Sequence, residues 1–191
     1  MRRPLGRLRI IGGEYRSRLI DFDAEAGVRP TPDRVRQTVF DWLTPMIDGS
    51  SVLDLFAGSG ALGLEAVSRG AAQASFVETG AKQAEDIRAA IGKLNAGSRC
   101  EVVRGDGISF LRGTQNRYEI VFVDPPYDSP LLASTLANLP TVLKQMNRIY
   151  LEWPKGKPPV LPAGYSLLKE KAAGQVSYGL FTYAPPGELQ P

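Results

Sequence analysis

The segment from Ser51 to Ala66 constrains the fold more than any other. A short apolar run, Val52-Leu53-Asp54-Leu55-Phe56-Ala57, ends at Gly58-Ser59-Gly60-Ala61-Leu62-Gly63, and an apolar helical sequence follows at once. A chain that leaves a buried strand through a glycine turn into a helix must fold that helix back across the strand, which opens a β-α unit. The pattern then repeats. Strand-like runs recur at residues 74–77, 101–104, 119–123 and 148–152, alternating with helical stretches from about Ala61, over about Lys82 to Leu94, near Ile108, and from Leu131 to Asn138. This alternation predicts an α/β fold with a Rossmann-like, doubly wound, mostly parallel seven-stranded sheet. The tail differs: Tyr165 to Lys171 and Val176 to Tyr183, separated by Ala172-Ala173-Gly174-Gln175, read as an antiparallel C-terminal pair.

Upstream of the repeating units, Leu8-Arg9-Ile10-Ile11 and Arg18-Leu19-Ile20 flank Gly12-Gly13, as a short hairpin would. Arg29-Pro30-Thr31-Pro32 reads as a helix start with Thr31 as N-cap and Pro32 at the first helical position; Val35, Val39, Trp42, Leu43 and Met46 supply its apolar stripe. The expected organisation is a basic N-terminal extension over residues 1–28 and a main α/β domain over 29–191. With 191 residues, 43% of them hydrophobic, the chain can bury one sizeable core.

The glycine loop matches G-x-G-x-x-G, and Glu78 stands at the end of the next strand run, so the loop taken alone fits a dinucleotide. Asp54 argues otherwise. A carboxylate beside the loop repels a pyrophosphate and favours the sulfonium and ammonium of S-adenosylmethionine. On this reading the donor site comprises Asp54, Phe56, Ala57, Gly58, Ser59, Gly60, Glu78 and Thr79. It is completed by Asp106 and Gly107 after the third strand run, where Asp106 either accepts from the adenine amine or caps the following helix.

Ile120-Val121-Phe122-Val123 runs into Asp124-Pro125-Pro126-Tyr127 at the end of a strand, where open α/β sheets bind their ligands. Consecutive prolines remove two backbone donors and leave carbonyl acceptors. Together with the Asp124 carboxylate they can hold both hydrogens of an exocyclic amine, while Tyr127 offers a ring for a base to stack on. A sulfonium methyl needs no acid to activate it, so positioning of the amine is the task. A chain with no histidine can perform it, whereas mechanisms built on a histidine base or ligand are excluded. A single cysteine, Cys100, excludes an intrachain disulfide framework and leaves no cysteine–histidine zinc cluster, so no metal site is expected. No apolar run approaches membrane-spanning length, and a cytoplasmic location is the expectation.

Charge is unevenly placed. Nine arginines but only five acidic residues fall within residues 1–36, while the remainder carries 14 basic and 15 acidic residues. A basic end on a nearly neutral body suggests a polyanionic partner, and Arg7, Arg9, Arg16, Arg18, Arg29, Arg34 and Arg36 are the candidate RNA-binding residues. Surface helix charge is the competing explanation for Arg34 and Arg36. Trp42 and Trp153 are assigned to packing.

The order of glycine loop and Asp-Pro-Pro-Tyr resembles the amino-methyltransferases of the class I S-adenosylmethionine-dependent fold. More narrowly, the chain is similar to the RsmD family of bacterial 16S ribosomal RNA guanine-N2 methyltransferases. The likeness rests on Ile11-Gly12-Gly13, Arg29-Pro30-Thr31, Asp33-Arg34-Val35-Arg36, the stretch Leu53 to Ala66, Phe122 to Tyr127, and Glu170-Lys171 with Ala173-Gly174-Gln175-Val176. The resemblance implies a methyltransferase domain over 29–191, a guanine held at Asp124 and Tyr127, and 16S ribosomal RNA, within a small-subunit particle, as the partner. Three other readings stay open at this point. The tetrad alone equally serves adenine-N6 methylation of DNA or RNA; a non-catalytic RNA-binding module could keep the fold; a nicotinamide-dependent dehydrogenase is disfavoured by Asp54 and the tetrad.

Overall fold

The structure, a computed structural model, describes residues 5–24, 27–126 and 129–188. Strands β1 (Leu5–Arg9) and β2 (Leu19–Asp23) form a separate antiparallel hairpin. After helix α1 (Asp33–Ile47) the β-α units follow in order: β3 (Ser51–Asp54), α2 (Ala61–Ser68), β4 (Gln73–Glu78), α3 (Ala81–Lys93), β5 (Cys100–Arg104), α4 (Gly107–Gly113), β6 (Tyr118–Val123), α5 (Leu131–Asn138) and β7 (Leu143–Pro154). Strands β8 (Tyr165–Ala173) and β9 (Val176–Tyr183) close the chain. The seven-stranded sheet has the order β5-β4-β3-β6-β7-β9-β8, parallel from β5 to β7 and antiparallel through β9 and β8.

Alternation along each strand sorts the side chains onto two faces. Val52, Phe76, Ile120, Phe122, Tyr150 and Tyr178 join α1, α2 and α3 in one buried cluster. Leu53, Val77, Val121, Val123, Ile149 and Leu151 join α4 and α5 in the other. Leu8, Ile10, Ile20 and Phe22 of the hairpin belong to the first cluster, so the N-terminal segment shares the core of the sheet. Trp153 packs edge-on against Phe181 and Trp42 against Tyr178, as expected of core aromatics.

The hairpin, α1 and α2 meet at one carboxylate. Glu65 lies on α2 and is fully buried. It accepts hydrogen bonds from the backbone N–H groups of Ile11 (3.0 Å) and Gly12 (2.9 Å), from Arg36 (3.2 Å) and from Arg69 (2.9 Å). Arg36 is equally buried, and it donates further to the carbonyls of Thr31 (3.1 Å) and Arg9 (2.9 Å) and to Asp33 (2.6 Å). Arg36 was expected at the RNA surface. It is instead a core cation, because the helical spacing that puts Val35 and Val39 inward carries Arg36 onto the same buried side, where Glu65 compensates it.

The start of α1 also departs from expectation by one residue. Pro32, in extended backbone geometry, occupies the cap position and the helix begins at Asp33. Thr31 does not cap it; the residue is buried and its carbonyl is taken by the Arg36 guanidinium.

Removing a single partner from a buried ion pair leaves an uncompensated charge, which costs about 3–5 kcal/mol. Glu65→Ala is therefore expected to lower the unfolding free energy by about that amount, while Arg34→Ala, on the exposed side of α1, should change it by less than ~0.5 kcal/mol. Chemical denaturation of the two variants checks this, and equal stability for both would contradict the burial argument.

Candidate active site

The C-terminal ends of β3, β4, β5 and β6 surround a cavity of about 410 Å³, in the size range of pockets for nucleotide-sized ligands. Its floor is the turn from Leu55 to Ser59. Val77, Glu78 and Thr79 form one wall, Gly105 and Gly107 the next, and Asp124, Pro125 and Pro126 the far edge, while Gly27 to Thr31 closes the front.

The glycine turn is shaped by backbone geometry. Gly60 has φ +79°, a conformation that side-chain-bearing residues rarely adopt, and it is the cap of α2. Gly63 serves close packing: a Cβ there would lie 2.3 Å from the Phe76 ring, so only glycine lets α2 approach β4 this closely. Glu78 fastens the loop from the neighbouring strand, accepting from Gly58 N (2.8 Å) and Gly80 N (3.0 Å) with its two oxygens. Asp54 accepts from Gly63 N (3.0 Å) while facing the cavity.

Three carboxylates thus converge on one pocket. Asp54 is buried, and loss of hydration, offset in part by its bond to Gly63 and reinforced by Glu78, pushes its pKa up to about 7. Asp124 is raised to about 8 by loss of hydration, then by the charges of Glu152 and Asp54. Carboxylates that resist ionisation together favour an occupant carrying positive charge and disfavour a pyrophosphate.

Eight of the ten residues expected at the donor site line the cavity: Asp54, Phe56, Ala57, Gly58, Ser59, Glu78, Thr79 and Gly107. Gly60 acts through the turn it makes. Asp106 is exposed and outside the lining; its carboxylate accepts from Ser109 N (2.8 Å) and caps α4, which also holds its pKa below the usual range. The structure therefore favours helix capping over adenine recognition for this residue. Asp124, Pro125 and Pro126 line the cavity as expected, and Tyr127 lies outside the described residues.

The arginines divide. Arg29 is exposed and lines the cavity front; Arg9, Arg16, Arg18 and Arg34 are exposed; Arg7 pairs with Asp21 at 3.1 Å. Arg18 donates to the Lys93 carbonyl (2.9 Å), which fixes the side chain against the start of the Leu94 turn.

Sequence reasoning missed two parts of the site. Val28, Pro30 and Thr31 form a cavity wall although they precede the β-α units; from sequence Thr31 reads as a helix cap, Arg29 as an RNA contact and Arg29-Pro30-Thr31 as a family motif, none of them as part of the donor site. Glu152 was read merely as the end of a strand, yet its charge is the one that most raises Asp124. The available signal was register: Val123 pairs with Leu151 in the parallel β6–β7 ladder, so Asp124, just past the end of β6, stands beside Glu152, which is still within β7.

Comparison with known proteins fits this geometry. The family described as conserved hypothetical protein 95 matches residues 8–182. Over 186 residues the chain is 42% identical to ribosomal RNA small subunit methyltransferase D of Escherichia coli (strain K12), covering 96% of this chain and 93% of that protein. The protein of the same name from Haemophilus influenzae (strain ATCC 51907 / DSM 11121 / KW20 / Rd) is 40% identical over 181 residues, covering 92% of this chain and 94% of that one. The solved structure of yhhF from Escherichia coli superposes with a TM-score of 0.84 at 41% identity, covering 93% of this chain and 98% of that one. TrmN from Thermus thermophilus, 21% identical with a TM-score of 0.66 over 78% of this chain and 48% of that one, shares the fold. Matches of this extent and identity show that the chain belongs to the RsmD family of methyltransferases.

Proposed function

We propose that this protein transfers a methyl group from S-adenosylmethionine to the exocyclic N2 of a guanine in bacterial 16S ribosomal RNA, in the cytoplasm and within a small-subunit particle. The observation that carries the reading is the cavity itself: Asp54, Glu78 and Asp124 ring it, and Asp124-Pro125-Pro126 forms the edge at which a second substrate can reach the donor. Family membership with ribosomal RNA small subunit methyltransferase D of E. coli and H. influenzae supports the RNA substrate.

The residues present fit the donor. Glu78, at the end of β4, has lone pairs left for ribose hydroxyls after holding Gly58 and Gly80, and the Phe56–Gly107 surface offers an apolar slot for a ring; a Cβ on Gly107 would come 3.3 Å from Phe56. Asp54 and Asp124 supply the negative charge that favours a sulfonium. Bound there, S-adenosylmethionine supplies an electrophilic methyl. The chain's own work is at the acceptor. The Asp124 carboxylate and the carbonyls that the two prolines leave without competing N–H groups take the amine hydrogens and aim the nitrogen lone pair inward. A pKa raised to about 8 makes Asp124 a competent receiver for the proton that the methylated nitrogen must lose.

The exposed Arg9, Arg16, Arg18, Arg29 and Arg34 serve as phosphate contacts that grip RNA around a flipped-out base. This assigns RNA capture to the basic segment over residues 1–28, with Arg29 and Arg34 at the edge of the 29–191 domain.

Transfer of labelled methyl from S-adenosylmethionine to small subunits lacking the modification, followed by nucleoside analysis, tests the assignment. N2-methylguanosine is expected, Asp124→Ala should abolish transfer while leaving donor affinity within a few fold, and N6-methyladenosine as product would overturn the guanine reading. Protonated Asp124 cannot accept an amine hydrogen, so kcat/KM should rise with pH through neutrality, pass half its plateau near pH 8 and level off above about pH 9. Asp124→Asn, which keeps an acceptor oxygen without the titration, should flatten that limb; an unchanged profile would exclude Asp124 as its source. Charge removal at Arg16 and Arg18 together should weaken RNA binding and reduce the slope of log affinity against log salt by about 0.7–0.9 per lost phosphate contact. A slope equal to wild type would remove these residues from the interface.

A further inference from the structure

The donor cavity spans the ends of β5, β4 and β3 and reaches β6 only at Asp124 to Pro126, so the base to be methylated must approach from the other side of β6, where β7 lies. The residue of β7 that stands beside Asp124 is Glu152, one position beyond the Val123–Leu151 pair and still within the strand. Paired positions of neighbouring strands project to the same face. That face is defined by contacts: Phe122 and Tyr150 meet ring to ring at 6.0 Å, Tyr150 and Tyr178 at 6.4 Å, and Glu152 stands opposite Tyr178 in the β7–β9 ladder. The buried Tyr150 hydroxyl donates to Glu152 Oε1 at 2.5 Å, which fixes one oxygen and thereby the plane of the carboxylate. Glu152 itself is half-buried.

The two candidate bases differ at one atom beside the reactive amine. Guanine presents N2–H next to N1–H, two adjacent donors. Adenine presents N6–H next to N1, a donor beside a lone pair. A carboxylate alongside the amine-binding Asp124 accepts from guanine N1–H and is repelled by the lone pair of adenine N1. We propose that Glu152 is a specificity-determining residue that reads the N1–H of the target guanine while Asp124 and the proline carbonyls hold its N2 amine. The inference rests on the guanine reading above. The closeness of the two carboxylates is echoed in the titration of Asp124, where Glu152 is the strongest charge effect.

The test compares two bases that share the 2-amine but differ at N1, protonated only in guanine, and at C6, where only guanine carries an oxygen; the dependence of the preference on residue 152 isolates the N1 contribution. Small-subunit RNA carrying either guanine or 2-aminopurine, introduced by splinted ligation at the nucleotide that the wild-type protein methylates, is assembled into particles and assayed with wild-type protein, Glu152→Gln and Glu152→Ala. 2-Aminopurine keeps the amine but replaces N1–H with a lone pair. Wild type should prefer guanine by roughly tenfold to a hundredfold in kcat/KM, the discrimination typical of a hydrogen-bonded base edge. Glu152→Gln, whose amide can donate to the 2-aminopurine N1 and still accept from Tyr150, should lose most of that preference, and Glu152→Ala should lose it as well. S-adenosylmethionine affinity should be unchanged in both. A merely structural role would depress both bases equally and leave the ratio intact; that result, or loss of all transfer in both variants, overturns the proposal. Failure of the guanine reading is seen separately, as the absence of N2-methylguanosine from the wild-type product.

Discussion

A single buried carboxylate organises the N-terminal third of this protein. Glu65 is fully withdrawn from water, and on its own a charge in that position would cost several kcal/mol. It persists because four donors from three chain segments surround it: two backbone N–H groups after β1, Arg36 of α1, and Arg69 one helical turn further along α2. The compensation is reciprocal, since Arg36 is buried only because Glu65 and the carbonyls of Arg9 and Thr31 absorb its donors. Thr31 is also a wall of the donor cavity. The same guanidinium therefore sets where the hairpin lies and where the front of the pocket stands. Position 65 is a structural requirement with a functional result.

The site follows an opposite logic. Around the cavity, Asp54 and Asp124 are carboxyls whose surroundings oppose ionisation, with too little compensation from the fold itself. Their folded-state pKa values are raised, so whatever stability they contribute is fully present below the ordinary carboxyl range near 4 and is lost as pH rises toward about 7 and 8. At neutral pH the pair of carboxyls is thus a site of electrostatic cost. A positive charge placed between the two carboxyls would relieve it and favour their ionised forms.

Much of the architecture was legible in the sequence because it follows from local patterns. The continuous apolar runs within 119–123 and 148–152, the glycine turn after Ala57 and the turn that contains Gly174-Gln175 each report a local backbone requirement, and each of the seven strands of the sheet overlaps a run read from the sequence, although β7 starts at Leu143, five residues earlier than its run. The cavity-lining residues on the loop and at Glu78 were legible for the same reason. What escaped notice was non-local. Arg36 reads as surface charge until Glu65, 29 residues later, is brought against it. Asp106 can cap a helix or bind a ligand on its sequence alone, and only the folded chain shows its carboxylate at Ser109 N as the cap of α4. Glu152 has no motif at all; its place beside Asp124 comes from the register of two parallel strands whose sequences carry no mark of that pairing.

The hairpin's attachment to Glu65 also bears on the order in which the molecule can be built. Ile11 and Gly12 find their acceptor 54 and 53 residues further along the chain. During synthesis from the N-terminus, the hairpin exists before anything it can dock against, and its apolar residues Leu8, Ile10, Ile20 and Phe22 have no partner surface until α2 and its strand have been made. Loops of this length close at little extra entropic cost, but they close late. The hairpin is consequently anchored only after α2 has been made, so the exposed arginines of residues 7–18 take up their fixed positions late in folding.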